Sequence, residues 1–465
     1  DRIYQADKHA EPFWQPNEVG GHLNEDYFGG DLKGIQQKLP YLHEMGVDFI
    51  YLNPIFEAHS NHRYNTADYL NVDPLLGTNE DFEALCTAAK KYGIGIVLDG
   101  VFSHTGSDSR YFNREDRYGE GGAYRDPSSP YRCWYDFGPQ YKGGYRSWWG
   151  FETLPEVNEE TPSYVEFITG PGGVIDTWLR RGAAGFRLDV ADELPDEFIE
   201  KVRAAVKRVS PEKFLLGEVW EDATTKFGFN KRRTYLLGKG LDSVMNYPFK
   251  NAVLDFVKGK PAEQAMTEIL TICEHYPAPA MDTALNFLST HDTERALTVI
   301  ADEPANGRGR AWQSGRCVTG DAYEEGLLRL RMAYAIIYTL PGVPCLYYGD
   351  EIAMQGYRDP FNRAFFRWDA HEQRLRPVLA QLAQLRHTCE AFRTGQLRVL
   401  RAEDGILHYQ RVGKVETAEI IVNRTEHIIV ETLASGKSTE VNPMGFTIVV
   451  EEVGHNPNHS YYDYV

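Results

Sequence analysis

The sequence lacks an excess of positive charge. Its 465 residues include 49 lysines and arginines against 67 aspartates and glutamates, which gives a net charge of −18. Proteins that bind nucleic acids present basic surfaces to the phosphates. The balance therefore argues against a nucleic-acid partner and suits a protein that acts on a neutral substrate.

Long apolar runs and paired cysteines are also missing. No stretch approaches the roughly 18 apolar residues of a transmembrane helix, so we expect no membrane partner. The opening stretch DRIYQADKHA has neither the basic head nor the apolar centre of a signal peptide. The six cysteines form no CxxC pair. This argues against a zinc site or a disulfide framework and favours reduced thiols in a cytoplasm.

What the chain does contain is an alternation of short β-type apolar runs with helix-patterned segments. Such alternation predicts an α/β fold with parallel strands joined by helical crossovers. The number of units favours a (β/α)8 barrel (TIM barrel), and a doubly wound open sheet is the alternative. The candidate barrel strands lie at about residues 49–52, 95–101, 185–190, 214–219, 242–246, 285–290 and 344–348.

Two stretches depart from this alternation. Residues 105–150 are rich in Gly, Pro, Tyr and Arg and have no periodicity, which is typical of a functional insertion after a strand. Beyond a predicted helix the pattern changes to short alternating runs, which predict an antiparallel β-sandwich. The predicted domains are a barrel of residues 1–104 and 151–392, an inserted domain of residues 105–150 and a C-terminal domain of residues 393–465.

Charged residues stand at the carboxyl ends of several predicted strands. In the run GFRLDV, Arg187 and Asp189 share one face of the strand because side chains alternate. Barrels of this kind place their active groups at these strand ends. Buried carboxylates need a cationic partner, which Arg187 would supply to Asp189. The strand-end residues are Asp99, His104, Arg187, Asp189, Glu218, His291 and Asp292.

Two carboxylates in different protonation states are what glycoside hydrolysis requires. We expect Asp189 to stay ionised beside Arg187, and Glu218 to have a raised pKa and to donate a proton. A single aspartate after a strand usually caps a turn or a helix. The recurrence of polar strand ends argues against that structural interpretation for all of them. For the pair His59 and His62 we favour loop packing over a metal site.

The motifs DGVFSH, GFRLDVADE, GEVW and FLSTHD resemble the four sequence regions of the α-amylase superfamily, glycoside hydrolase family 13. LPEVN at 154–158 and the segment at 342–363 resemble its additional regions, and the inserted region resembles its domain B. The resemblance implies a retaining α-glucosidic hydrolase. It assigns Asp189 as nucleophile, Glu218 as general acid/base and Asp292 as the third carboxylate, which binds sugar hydroxyls in the transition state.

The resemblance also implies substrate contacts. Within the superfamily the chain is most similar to the neopullulanase, cyclomaltodextrinase and maltogenic amylase group, which implies cyclodextrins, pullulan or short maltooligosaccharides as substrates, cut at α-1,4 bonds. The group often dimerises, so we expect a homodimer. The expected contacts at the attacked glucose are Tyr64, Asp99, His104, Arg187 and His291, and those further along the glucan are Glu193, Asp359 and Arg363.

Two features depart from the family pattern. Ser103 replaces an asparagine that ligates calcium in many members, and a hydroxyl is a poorer ligand for calcium than an amide carbonyl. We therefore expect no required cofactor and no metal ligands, and calcium binding is the alternative. Asp1-Arg2-Ile3 resembles a stretch just after the first barrel strand of relatives. We therefore expect that strand to lie upstream of residue 1, and the alternative starts a strand at Arg2.

Other functions stay open at this point. A transglycosylase or an α-glucosidase of the same superfamily would use the same three carboxylates. A non-catalytic glucan-binding or transporter-associated relative usually loses them and carries a membrane anchor. A starch-binding module would not need converging carboxylates at all.

Overall fold

The structure, a computed structural model, describes residues 3–4, 26–453 and 460–464, with side chains from Tyr27 to Val453. The chain forms two compact units that divide between Met245 and Asn246.

The amino-terminal unit combines a parallel β-sheet with shorter two-stranded sheets and helices. Its strands are β1 (Ile3–Tyr4), β2 (Asp26–Tyr27), β3 (Phe49–Tyr51), β4 (Phe56–Ala58), β5 (Thr66–Val72), β6 (Gly95–Gly100), β7 (Gly185–Leu188), β8 (Phe214–Gly217), β9 (Phe227–Gly228), β10 (Lys231–Arg232) and β11 (Ser243–Val244). Its helices are α1 (Leu32–Gln37), α2 (Leu39–Glu44), α3 (Asn79–Lys91), α4 (Pro162–Thr169), α5 (Val174–Arg180) and α6 (Asp196–Val209). The parallel sheet has the order β11-β8-β7-β6-β3.

Helix α3 shows how the local sequence sets these elements. The Thr78 side chain accepts a hydrogen bond from Asp81 N at 3.1 Å, and the Asp81 carboxylate accepts one from Thr78 N at 3.0 Å. This capping box satisfies two free N–H groups of the first turn. The apolar face of the helix is buried through Phe82 and Leu85. The helix ends at Lys91, and Tyr92 is its C-cap.

The register of the central strands brings their polar ends into line. Asp99 of β6 pairs with Arg187 of β7, and Arg187 pairs with Leu216 of β8. The ladder continues just past the strands, because Asp189 N donates to Gly100 O at 3.1 Å and Glu218 N donates to Leu188 O at 3.0 Å. The two carboxylates therefore leave neighbouring strands at the same edge of the sheet.

The stretch 105–150 is built from turns and short 3-10 helices, as its lack of periodicity indicates. Its core is aromatic: the Phe112 ring packs against Tyr145 and Tyr135 with centroid distances of 4.6 and 4.8 Å. Backbone bridges join Ser147 to Pro155 and His104 to Glu156. The insertion is thus an ordered part of the amino-terminal unit.

The carboxyl-terminal unit combines helices with antiparallel sheets. Its helices are α7 (Tyr247–Lys258), α8 (Ala262–His275), α9 (Ala278–Asp282), α10 (Ala296–Ala301), α11 (Arg310–Ser314), α12 (Gly320–Thr339), α13 (Leu375–Thr388) and α14 (Ala391–Thr394). Its strands are β12 (Leu285–Asn286), β13 (Val343–Pro344), β14 (Gln396–Glu403), β15 (Ile406–Val412), β16 (Glu416–Asn423), β17 (Ile429–Thr432), β18 (Ser438–Val441), β19 (Gly445–Glu452) and β20 (Ser460–Tyr464).

The antiparallel sheets of this unit confirm part of the predicted C-terminal domain. Strands β14, β15, β16, β19 and β20 form one sheet, and β17 and β18 form a hairpin. Buried apolar side chains, among them Ile421 and Val449 of the sheet and Leu433 and Val441 of the hairpin region, form one core cluster. The division into three domains stays a prediction.

Each candidate barrel strand is present, although most pair over fewer residues than the apolar runs suggested. The last predicted strand, at 344–348, is instead Val343–Pro344, because the chain turns where Asp350 N donates to Tyr347 O. At the other end β1 pairs with β2 in parallel, while Asp1 and Arg2 lie outside the described residues. In the described part of the chain no helix is long and apolar enough to span a membrane.

Candidate active site

One buried arginine organises the polar strand ends of the amino-terminal unit. Arg187 is completely buried, and its Nη1 lies 2.8 Å from Asp99 Oδ1 and 2.8 Å from Asp189 Oδ1. Its Nη2 lies 3.0 Å from Glu218 Oε2. Four residues predicted from three strand ends are thus neighbours in the structure. We call Asp99, Arg187, Asp189 and Glu218 the Arg187 cluster.

A strained turn supports Glu218. Val190, which follows Asp189, has a φ of 41°, and this left-handed conformation is rare for a β-branched residue. The turn directs Val190 N to Glu218 Oε2 at 2.9 Å, and Trp220 Nε1 donates to Glu218 Oε1 at 3.0 Å. Gly217 lets Leu241 pack closely before Glu218, because a Cβ atom at residue 217 would lie too close to Leu241 Cδ1 and displace that side chain.

The Arg187 cluster holds more negative than positive charge. One guanidinium faces three carboxylates, all nearly excluded from water. Burial raises the pKa of Asp189, Arg187 opposes that shift, and the neighbouring Glu218 and Asp99 carboxylates raise the pKa further. This direction differs from the expectation that Arg187 alone would hold Asp189 ionised. The cause is that Arg187 is shared, so the cluster favours retaining a proton.

Two tyrosines and a histidine extend the site around Asp99. Tyr51 and Tyr64 both donate their hydroxyls to Asp99 Oδ2 at 2.8 Å, and His104 Nε2 lies 3.0 Å from Tyr64 O. Burial lowers the pKa of His104 to about 4, so its imidazole is neutral near pH 7. Of these residues, the sequence pointed to Tyr64, Asp99 and His104 but not to Tyr51.

Glu193 accepts hydrogen bonds from two tryptophans of the insertion. Its Oε2 accepts a hydrogen bond from Trp148 Nε1 at 2.7 Å, and its Oε1 accepts one from Trp149 Nε1 at 2.9 Å. Trp149 is 77% exposed and stands at a cleft of about 480 Å³ that Glu193, Arg146 and Glu156 also line. Sequence reasoning missed both tryptophans, although the adjacent pair in the insertion was a visible signal.

The carboxyl-terminal unit brings its own predicted residues together. His291 Nε2 lies 3.0 Å from Asp292 Oδ2, and Arg363 Nη2 lies 3.4 Å from Asp292 Oδ1. Arg363 also contacts Asp359, with 3.2 Å between Nε and Oδ1, and it donates from Nε to His291 O at 2.9 Å. The convergence of Asp292 with Asp189 and Glu218 on one sugar ring stays a prediction, because it joins residues of the two units.

Ser103 and His59 each contact a neighbouring polar side chain. Ser103 is buried, and its hydroxyl lies 2.9 Å from His104 Nδ1. Among the residues that the structure describes, no group of three or more His, Cys, Asp or Glu side chains is arranged to hold a metal ion. His59 Nδ1 instead contacts Asp108 Oδ2 at 2.9 Å.

Comparison with known proteins now adds to this geometry. Residues 6–391 match the family described as "Alpha amylase, catalytic domain". The chain belongs to the α-amylase family. The family and the solved structures similar to this chain imply a TIM-barrel catalytic fold, as the sequence predicted. The parallel sheet of the amino-terminal unit is consistent with part of such a barrel.

The chain is similar to proteins named as an amylopullulanase and a cyclomaltodextrinase. It is 36% identical over 429 residues to an amylopullulanase of Thermoanaerobacter thermohydrosulfuricus, covering 84% of this chain and 28% of that protein. It is 33% identical over 411 residues to a cyclomaltodextrinase of Geobacillus thermopakistaniensis, covering 86% of this chain and 63% of that protein. The chain thus spans less than two thirds of the length of either relative.

A solved structure extends the similarity to almost the whole chain. The ligand-free cyclic α-maltosyl-(1→6)-maltose hydrolase from Arthrobacter globiformis has a TM-score of 0.80 and 26% identity. The similarity covers 97% of this chain and 98% of that one. The family predicted from the sequence motifs is therefore confirmed.

Proposed function

We propose that the protein is a retaining glycoside hydrolase that cleaves α-1,4-glucosidic bonds. The observation that carries the proposal is the Arg187 cluster, which holds Asp189 and Glu218 beside one another in an environment that favours retention of a proton. Retaining glycosidases need one carboxylate to attack and one carboxylic acid to protonate the leaving oxygen.

In the first step, the Asp189 carboxylate attacks the anomeric carbon while Glu218 gives its proton to the glycosidic oxygen. The bond from carbon to the leaving sugar breaks, and a covalent glucosyl-Asp189 ester forms. In the second step, Glu218 takes a proton from water, the water oxygen attacks the same carbon, and Asp189 leaves. Two inversions give a product of retained α configuration.

Neighbouring side chains suit supporting roles in this reaction. Tyr64 and Asp99 would contact the attacked glucose with Arg187 and with His104, whose neutral imidazole can donate or accept a hydrogen bond. Asp292, with His291 beside it, would bind sugar hydroxyls as positive charge develops on the ring. Such contacts accelerate the reaction when they strengthen in the transition state.

For the substrate we propose cyclodextrins, pullulan or maltooligosaccharides. The names of the relatives support this class, since they include a cyclomaltodextrinase and an amylopullulanase. The cleft beside Trp149 supports it as well, because an exposed indole offers a flat apolar face on which a glucose ring can stack.

The test combines product analysis with trapping of the intermediate. Proton NMR of maltotetraose hydrolysis should show the α anomer first, and a slow 5-fluoro-α-glucosyl fluoride should label the Asp189 peptide in mass spectrometry. Longer sugars at high maltose would instead indicate a transglycosylase, and glucose as sole product an α-glucosidase. No turnover of β-cyclodextrin, pullulan, starch or maltotetraose would overturn the enzymatic proposal.

We also propose a fold and a setting finer than the comparisons establish. The barrel would close with eight strands, carry residues 105–150 as its inserted domain and end in a β-sandwich from residue 393. The protein would act in the cytoplasm as a homodimer. Light scattering coupled to size exclusion tests the dimer, and a mass of 52.9 kDa for this chain in solution would contradict it.

A further inference from the structure

A single asparagine in the carboxyl-terminal unit contacts the loop that carries Asp292 at three points. Asn362 is completely buried, and its Nδ2 lies 3.3, 2.8 and 2.8 Å from the carbonyl oxygens of Thr290, His291 and Thr293. In the described part of the chain its Oδ1 is buried without a hydrogen-bond partner. The side-chain hydrogen bonds of Asn362 are thus donated entirely to this loop.

The loop itself is a compact turn. Thr290 N donates to Thr293 Oγ1 at 3.0 Å, and Asp292 N donates to Thr290 Oγ1 at 3.1 Å. Its carbonyl groups converge on one side, where their partial negative charges repel one another. The Asn362 amide supplies the positive end that this side of the loop requires.

The neighbouring backbone fixes Asn362 in turn. Tyr347 donates its hydroxyl to Asn362 O at 3.3 Å. Gly356 packs so closely against this segment that a Cβ atom there would clash with Phe361 O. Arg363, the next residue, donates to His291 O and contacts the Asp292 carboxylate. Residues 362 and 363 therefore hold both the backbone and the side chain of the loop.

Building on the proposed function, we propose that Asn362 is a positioning residue that orients Asp292 for the transition state. Asn362 acts through the loop backbone and does not itself contact the sugar. A carboxylate displaced by about 1 Å loses much of its effect on a developing charge. Because Asp292 acts mainly in the transition state, loss of Asn362 should lower kcat more than it raises KM.

The test is a double-mutant cycle with Asn362→Asp and Asp292→Asn, measured as kcat and KM on maltotetraose. Asn362→Asp keeps the shape, removes the donors and adds negative charge beside three carbonyls. We expect it to lower kcat by about 10- to 100-fold with KM within about threefold. In the Asp292→Asn background it should change kcat by less than about twofold. Equal losses of kcat in both backgrounds would overturn the proposal. If Asn362 had a merely structural role, its effect on kcat would not depend on the residue at position 292.

A second asparagine of the same unit provides a matched control. Asn423 is also completely buried, and its Nδ2 lies 2.8, 3.1 and 3.0 Å from the carbonyl oxygens of His427, Val441 and Asn442. Asn423→Asp should lower the melting temperature and leave kcat within about twofold. A loss of kcat as large as that of Asn362→Asp would assign both effects to stability.

A folding failure or a wrong reaction would each be recognisable. If Asn362→Asp does not fold, Asn362→Ser replaces it, and the cycle is read as affinity for a cationic iminosugar by calorimetry. The same coupling with Asp292 is expected, and its absence would overturn the proposal. If Asp292→Asn alone keeps the full kcat, the role proposed for Asp292 fails, whereas additive losses reject the role of Asn362 alone.

Discussion

The Arg187 cluster and a group of ionisable side chains on the C-terminal sheet differ in how many basic partners their carboxylates have. In the Arg187 cluster one guanidinium faces three carboxylates. On the C-terminal sheet, His408 lies between Glu419 and Glu431, at 2.5 and 3.2 Å, and Arg401 contacts Glu431 at 2.5 Å. There, two carboxylates share one arginine and one histidine.

The difference matches the roles proposed for the two clusters, catalysis at Arg187 and structure on the C-terminal sheet. Hydrogen bonds from His408 and Gln410 lower the pKa of Glu419 although burial opposes them, so this carboxylate is held ionised. Asp189 has its pKa raised by burial. Folding to maximal stability favours satisfied charges, and an unbalanced buried cluster is retained where chemistry needs a group that can change its charge.

The largest expected effect separates activity from stability in the Arg187 cluster. Asp189→Asn should lower kcat by about 10⁴-fold or more, because no covalent intermediate can form. Unfolding free energy should not fall, since ionisation of Asp189 beside Asp99 and Glu218 disfavours the folded state. Steady-state kinetics and urea unfolding measure the two effects. A variant within tenfold of the wild-type kcat would contradict the assignment of Asp189.

Removal of Arg187, the shared cation, should lower the free energy of unfolding. Arg187→Met leaves Asp99, Asp189 and Glu218 without their cation. It should lower the free energy of unfolding by about 3–5 kcal/mol. Urea unfolding at pH 7 measures the loss, and Arg232→Met, at an exposed position, is the control. A loss below about 1 kcal/mol would show that the cluster does not depend on this arginine.

A substitution in the group of Arg401, His408, Glu419 and Glu431 should change stability alone, and the change should depend on pH. Glu419→Gln should cost about 1–3 kcal/mol at pH 7 and leave kcat unchanged. Because the folded state lowers the pKa of Glu419 from 4.5, its contribution is complete above that pH and is lost as the pH falls below it. The difference in unfolding free energy between wild type and variant should therefore shrink on acidification. A constant difference from pH 7 to pH 3 would contradict this account.

For Asp189 the sign of the pH effect is reversed. Its pKa is raised above 3.8, so the folded state retains a proton that the unfolded state releases. The unfavourable contribution of Asp189 should grow as the pH rises above about 3.8. Asp189→Asn should therefore gain stability relative to wild type over that range, which urea titrations across pH would detect. A difference in unfolding free energy that does not change with pH would contradict the raised pKa of Asp189.

The smallest expected effect lies at the exposed cleft. Trp149→Phe keeps an aromatic face and removes the N–H that donates a hydrogen bond to Glu193. Because the residue is largely exposed, we expect KM to rise by about two- to fivefold with kcat nearly constant. Trp368→Phe, at another exposed position, is the control. An unchanged KM would show that the hydrogen bond from Trp149 to Glu193 has no part in substrate binding.

Much of the fold and half of the polar site followed from local patterns. Apolar runs ending in Asp99, Arg187 and Glu218 predict parallel strands with charged ends, and the ladder register then makes these residues neighbours. The antiparallel hairpin of β4 and β5 was missed, since its polar positions hide the alternation. Strand lengths were overestimated because a run of apolar residues continues beyond the last paired residue.

The remainder depended on contacts that no local pattern encodes. Trp148 and Trp149 reach Glu193 across about 45 residues of chain from an aperiodic insertion. The acceptors of Asn362 are backbone carbonyls, which every residue possesses. The pKa of Asp189 depends on how many carboxylates share Arg187, and that number appears only when the strands are assembled.

The left-handed Val190 has a consequence for attempts to make the protein more heat-tolerant. Substitution by glycine would relax the turn and is the change that a stability-guided redesign would select there. The same substitution would make the backbone N–H of residue 190 more mobile and weaken the hydrogen bond that it donates to Glu218. Ranking positions by backbone strain alone would therefore trade durability against turnover at the turn that links Asp189, the proposed nucleophile, to Glu218, the proposed acid.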